Sequence, residues 1–527
     1  MRTRKSIEEL QIAYERGDKL PLEMLVRAWK GVQELPPDDF NSYFLIGGYH
    51  GEPFRGAGWG NAGFWGGYCN HGNVLFPTWH RVYLYRLENA LRSIARCEEV
   101  TLPFWDETSL SSKNNGIPWA LTIETFELDS QTIPNPLRSF TLNRQLKDHI
   151  GGDNPDYSKP LGYETVRYPL SGLMGPQDIG NTKSHNAQYP NYSYNVGLLN
   201  ANIVNWLTSY IEVGDGANKR RIPTNVAQKY VDCLQAPSYT LFSNTTSAAE
   251  WNGNLLAGGI PVVPLESPHN SIHLAVGGFD VPAGPNAGDV SQIADANGDM
   301  GENDTASFDP IFFFHHCFVD YVFWLWQKRH DAVDQLDIIE HYPGTNSIDS
   351  QGPTPGIGPN SWLTLDSPLD PFRKLDGSPY TSRDCVNIER QLDYTYGPGS
   401  LDDPVPPNPA PAPEAEPAAR HVWVSGINRG AIRGSFLISA FATINGEEHH
   451  IGTEAVLSRW HVEGCANCQT HLQASAAIPV RGLAIVTTES ADISVNVLTH
   501  DGPLAQHAMA AAQDLPPPRP RFRFELR

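Results

Sequence analysis

Residues 309–328 read DPIFFFHHCFVDYVFWLWQK. From Ile311 to Trp326 the run is apolar nearly all the way round a 3.6-residue period. It therefore predicts a helix from about Pro310 to Lys328 that is buried on every side. Two imidazoles, His315 and His316, and one carboxylate, Asp320, stand inside it. A bare buried imidazole is costly unless it is paired or metal-bound, so this helix needs partners from elsewhere in the chain.

Other histidines stand in comparable settings. His50 sits in GGYHGEPF, and His71 and His80 stand nine residues apart in GGYCNHGNVLFPTWHR, residues 66–81. The second stretch leads into a predicted helix from Pro77 to Arg96, on which Leu84, Leu87, Leu91 and Ile94 form one apolar stripe. SPHNSIHLAVGG, residues 267–278, predicts a shorter helical turn ended by Gly277 and Gly278. His269 and His273 are four residues apart on it and share a face, so one ion can take both. Two trios with one spare imidazole, and no comparably placed Asp or Glu, suit copper or zinc better than magnesium, calcium or manganese. Two trios on packed helices imply two neighbouring ions, about 3.5–4 Å apart as in other two-metal sites. Cys69, two residues before His71, invites a zinc reading when seen alone, or that of a buried thiol acting as a small hydrophobe.

The chain has 527 residues and a formal net charge of −21, which argues for two or more domains and against nucleic acid or anionic membrane as partners. The N-terminal stretch MRTRKSIEELQIAYERGDKL lacks the apolar core of a secretory signal. With no run of about 18 apolar residues either, a cytoplasmic location is expected. Seven scattered cysteines do not suggest a disulfide framework. The clearest boundary is DDPVPPNPAPAPEAEPAAR, residues 402–420, with seven prolines and five alanines, read as an extended linker. Residues 110–250, rich in Asn, Pro, Gly, Ser and Tyr, are expected to form long loops with short helices. Beyond the linker, HVWVSG, GSFLISAFATI, AVLSRWHV, GLAIVTT and DISVNVLTH suggest a small antiparallel sandwich. The expected fold is thus a mainly α core over 1–401, a linker over 402–420 and an all-β, sandwich-like domain over 421–527.

The motifs YHGEPF, CNHGNVLFPTWHRVYLYRLE, SPHNSIHLAVGG and FDPIFFFHHCFVDYVFWLW together resemble the tyrosinase, catechol oxidase and haemocyanin family of type-3 copper proteins, over roughly residues 40–396. The resemblance implies two copper ions with O2 as co-substrate. His50, His71 and His80 would bind the first copper, and His269, His273 and His316 the second. It implies that His315 packs behind the ligands and that Asp320 orients ligand imidazoles. Cys69 and His71 match the Cys-x-His that forms a thioether in some members. Glu266 and Asn270 match a pair that holds a water able to help deprotonate a phenol, and Phe312 a phenylalanine over the second copper that meets the substrate ring. Tyr394-Thr395-Tyr396 resembles the Tyr-x-Tyr that closes the catalytic core. Tyr321 stands where the family often has an arginine after the aspartate, which removes a common ion pair.

The implied activity is ortho-hydroxylation of small phenols and oxidation of o-diphenols to o-quinones, with the C-terminal domain limiting access. A catechol or o-aminophenol oxidase without monophenolase activity, and a haemocyanin-like oxygen carrier, are the alternatives. A homo-oligomer is possible. In the tail, His461, Cys465, Cys468 and His471 could handle copper, form a local disulfide or hold a structural zinc.

Overall fold

The computed structural model describes residues 1–51, 68–147, 158–208, 210–213, 220–255, 259–278, 293, 295–349, 357–358, 360–402, 420–444, 446–458, 473–480, 492–500, 502–504 and 522–526. The expected linker, apart from its two end residues, and the Cys465/Cys468 motif with its flanking histidines lie outside them. So do the expected strand GLAIVTT and the second half of AVLSRWHV.

Five helices frame the core: α1 (Leu20–Glu34), α2 (Phe76–Arg92), α3 (Tyr192–Thr208), α4 (Glu266–Gly277) and α5 (Ile311–Arg329). α5 is the central one, with every side chain from Ile311 to Gln327 buried. Its start is fixed by Asp309, whose Oδ1 accepts from the Ile311 amide at 3.1 Å. Lys328 and Arg329 close it, where cations suit the negative end of the helix dipole. α2 opens with Pro77 in its first turn, a place where the missing amide costs nothing. It stops at Arg92, short of the expected Arg96, whose left-handed φ of 68° lies outside any right-handed helix. Aromatic rings knit the helices together: Trp29 of α1 stacks on Phe314 at 5.4 Å, and Tyr83 of α2 meets Phe313 at 5.1 Å. Within 110–250, α3 runs 17 residues where only short helices were expected. Its stripe of Leu199, Ile203, Trp206 and Leu207 is buried, and that burial outweighs the weak helix propensity of its asparagines and tyrosines.

The two ends of this helical unit meet in a parallel pair, β1 (Arg2–Arg4) with β2 (Tyr394–Tyr396). The C-terminal unit is antiparallel. One sheet runs in the order β5–β4–β7–β8, from Glu447–Val456, Phe436–Ile444, Asp492–Thr499 and Gly502–Leu504. The other runs β6–β3–β9, from Gln473–Val480, Arg420–Asn428 and Arg523–Leu526. Alternating buried residues such as Val422 and Val424, or Val495 and Val497, give each sheet its inner face. The helical core and the sandwich-like β unit match the expected fold class. Among the described residues no helix is long and apolar enough to cross a membrane.

Candidate metal centre

The six expected ligands converge. His50, His71, His269 and His273 are fully buried, and His80 and His316 nearly so. His50 follows a short helix, Tyr43–Gly48, and His71 lies on the loop before α2. His80 lies on α2, His269 and His273 on α4, and His316 on α5. The three Nε2 atoms of His269, His273 and His316 form a triangle with sides of 3.1, 3.2 and 3.3 Å. Three imidazole nitrogens cannot all hydrogen-bond one another at that distance. The spread is that of three donors around one ion with bonds of about 2 Å. The second trio interlocks with the first: His80 stacks on His316 at 4.5 Å, and His71 faces His269 at 5.4 Å. Donor atoms of His50, His80 and His316 also lie within 4.8 Å of one another, as do those of His50, Cys69 and His71.

Backbone carbonyls set the rings. Nδ1 of His80 donates to Phe76 at 2.8 Å, that of His273 to Met300 at 2.9 Å, and that of His50 to Asn303 at 3.2 Å. Such a bond fixes the tautomer and turns Nε2 inward as a lone-pair donor. The Nε2 of His80 is buried with no hydrogen-bond partner. Burial pushes the pKa of His80 down to about 3, and holds those of His269, His273 and His316 well below the usual imidazole range. At neutral pH these groups are unprotonated, as metal ligands must be. An orphaned inward nitrogen and a triangle of mutually facing donors fit two imidazole-bound metal ions.

Among the described residues, the hydrogen bonds of Asp320 go to no ligand ring. Oδ1 accepts from Arg81 Nε at 2.6 Å, and Oδ2 from the hydroxyls of Tyr394 and Tyr396, both at 2.6 Å, with Arg4 at 3.4 Å. Arg4 also pairs with Glu88 at 2.6 Å. The aspartate therefore anchors both ends of the helical unit to α5, and it reaches the metal site only through Arg81, the neighbour of His80. Arg4 and Arg81 supply the cations for Asp320, and Tyr321 instead stacks on Phe104 at 4.9 Å and 4°.

Glu266 is fully buried. Oε1 accepts from the Gly72 amide at 2.9 Å, and Oε2 from the amide and hydroxyl of Thr245, both at 2.8 Å. Burial raises its pKa, opposed by the Thr245 and Gly72 hydrogen bonds and by the charge of Arg429. It thus tethers the loop that carries His71. Asn270 lies one turn along the same face of α4. Its Oδ1 meets His269 Nδ1 at 3.0 Å, and its amide reaches the Ala455 carbonyl at 3.5 Å. Phe312 is buried among the ligands, stacked on His316 at 4.0 Å and edge-on to His50 at 4.7 Å. Cys69 is buried, in no disulfide, and takes a hydrogen bond from Asn303 Nδ2 at 3.6 Å. His315 packs on His269 at 5.2 Å, its Nδ1 2.6 Å from Glu107. Glu107, Asn303 and Arg4 are residues that sequence reasoning missed. Glu107 meets His315, Asn303 meets His50 and Arg4 meets Asp320 across more than 200 positions of chain, which no local pattern reveals.

The C-terminal unit sits against this centre. Ala455 touches Asn270, Ser458 accepts from the Asn303 amide at 3.3 Å, and Ser435 donates to Gly301 at 2.9 Å. Lys229 pairs with Glu454 at 2.8 Å, and His500 with Glu302 at 3.1 Å. Three of these contacts, at Gly301, Glu302 and Asn303, fall on the loop whose carbonyls hold His50 and His273.

The family description "Common central domain of tyrosinase" matches residues 40–329. The chain is 52% identical to "Tyrosinase HcTyr2" of Hahella sp. over 94% of this chain and 92% of that one. It is 45% identical to a tyrosinase of Aspergillus oryzae over 90% and 88%. The structure of a tyrosinase from Burkholderia thailandensis superposes with a TM-score of 0.81 at 49% identity, covering 95% of both chains. With two interlocked histidine groups suited to copper and these relatives along nearly its whole length, the chain belongs to the tyrosinase family of dicopper oxidoreductases.

Proposed function

We propose that this enzyme both ortho-hydroxylates small monophenols and oxidises o-diphenols to o-quinones, under a C-terminal lid. The carrying observation is the pair Glu266 and Asn270, buried one turn apart on α4 beside His269. His50, His71 and His80 hold the first copper and His269, His273 and His316 the second. When bound, the two ions supply oxygen activation and reversible electron transfer. The protein's own part is to present unprotonated nitrogens, exclude water and manage the phenol proton. Glu266 already accepts from three donors. A carboxylate has about four acceptor positions, so one is left for a water held jointly with Asn270 that takes the phenol proton. Phe312, packed on His316, walls the place where a substrate ring would lie.

Residues 1–401 are then the catalytic domain, 402–420 the connecting segment and 421–527 the lid. Closing the Cys69–His71 pair into a thioether would pin a loop histidine that no helix holds. The peptide spanning 69–71 should then weigh two hydrogens less than its sequence requires. The tail motif Cys465/Cys468 is proposed to help load copper, so swapping both for serine should lower the copper content of freshly made enzyme.

The deciding experiment measures oxidation of a monophenol and a diphenol, with copper content, before and after cleavage near residue 410. Activity on both substrates that rises on cleavage supports the reading. Diphenol turnover alone favours a catechol or o-aminophenol oxidase, and reversible O2 binding without quinone favours a carrier.

A further inference from the structure

Behind the second histidine trio lies a buried acid that the mechanism does not use. Glu107 and His315 are both fully buried. The carboxylate meets His315 Nδ1 with one oxygen at 2.6 Å and takes a hydrogen bond from the buried Tyr230 hydroxyl on the other at 2.7 Å. The segment before Glu107 is fastened to α5 itself, the Trp105 amide donating to the Phe314 carbonyl at 3.1 Å. Both ends of the pair are therefore fixed to the same helix.

His315 in turn touches all three members of the second trio. Its ring centroid lies 5.2 Å from that of His269 at an interplanar angle of 21°, 5.1 Å from His273 at 84° and 5.0 Å from His316 at 72°. Its Nε2 is buried and carries no hydrogen bond. Donor atoms of all four histidines lie within 4.8 Å of one another. An imidazole in that position can do harm. Free to rotate, it could swing a nitrogen into the triangle and compete for the ion, or let the three rings splay. A carboxylate on Nδ1 settles which nitrogen faces which way, as carboxylates do behind metal-bound imidazoles.

We propose that Glu107 and His315 are a positioning pair for the second copper: the acid locks the imidazole, and the locked ring holds His269, His273 and His316 convergent. This rests on the dicopper reading of the centre. The pair contributes to how long the second ion stays, not to the chemistry at the substrate.

Two variants separate orientation from bulk. Glu107→Gln keeps an acceptor for His315 and a partner for Tyr230. Glu107→Leu keeps the volume and loses both bonds. Each holoenzyme is mixed with excess chelator, and copper loss is followed per chain alongside the melting of the copper-free protein. In Glu107→Leu, one copper equivalent should leave about tenfold faster than from the parent, the low end of what such outer partners contribute. The other equivalent should leave at the parental rate, and Glu107→Gln should restore retention. Acceleration of both equivalents together, or of neither, overturns the proposal. So does faster loss in Glu107→Leu fully explained by an equal fall in copper-free melting. A parent chain holding fewer than two equivalents would instead count against the dicopper reading.

Discussion

At the scale of single residues, the first trio depends on a backbone position as much as on its ligands. Gly72 follows His71 with φ of +81°, and a Cβ there would come within 2.8 Å of the Asp349 carbonyl oxygen. A left-handed alanine alone costs roughly 1–2 kcal/mol, and the backbone contact cannot yield as a side chain would. The Gly72→Ala variant should therefore lose the Glu266 tether and fall from two coppers per chain toward one, read by metal analysis of the purified protein. A second residue carries a pH signature. Glu8 is half-buried beside Ser112, with the charge of Asp106 nearby, and loss of solvent around its carboxyl pushes that group up to about 8. In the unfolded chain it ionises near its ordinary value of 4.5, so between pH 4.5 and 8 the folded state binds more protons. That contribution to stability is whole below pH 4.5 and is lost as pH rises through 8. The Glu8→Gln variant should melt above the parent at pH 8, with the gap closing toward pH 4.5.

Among the elements, the clamp on α5 decides which part of the fold Asp320 serves. Breaking a buried, multiply bonded carboxylate is worth about 3–5 kcal/mol. Asp320→Ala should accordingly lower the melting temperature strongly, while the protein made at low temperature still binds two coppers. Loss of one copper would show that the aspartate does orient a ligand after all. The sequence made α5 legible because an all-apolar run of that length admits few other readings. The four-residue spacing of His269 and His273 placed them on one face. The partners of Asp320 stayed hidden for the same local reason: one turn after His316 is the right distance to serve that ring, and nothing nearby announces Arg4 or Tyr396, 316 and 76 positions away. α3 escaped because its composition argues against helix and only tertiary burial argues for it. Glu107 escaped because its partner stands 208 positions off. Local patterns thus revealed ligands and helices, and concealed the buried polar groups that hold them in place.

For the whole molecule, the lid proposed above would be an equilibrium set by a few interdomain bonds. If the closed form is favoured about a hundredfold, activity before cleavage reports the open fraction, and each 1.4 kcal/mol removed from closure raises it about tenfold. Lys229 and Glu454 are the pair to test, because they lie 2.8 Å apart with only 16% and 19% of their side chains exposed and neither touches a ligand histidine. Lys229 also reaches Ser267 and the Thr453 carbonyl, so reversing its charge leaves those acceptors facing a carboxylate. Glu454→Lys sets two ammonium groups against each other across the interface. The single reversals should raise diphenol turnover of the uncleaved chain several-fold, toward the rate after cleavage near residue 410, without changing copper content. The double reversal, Lys229→Glu with Glu454→Lys, restores the attraction and should bring turnover back down. That return distinguishes a lid held by this pair from a protein merely loosened, since general destabilisation would add across the two changes rather than cancel.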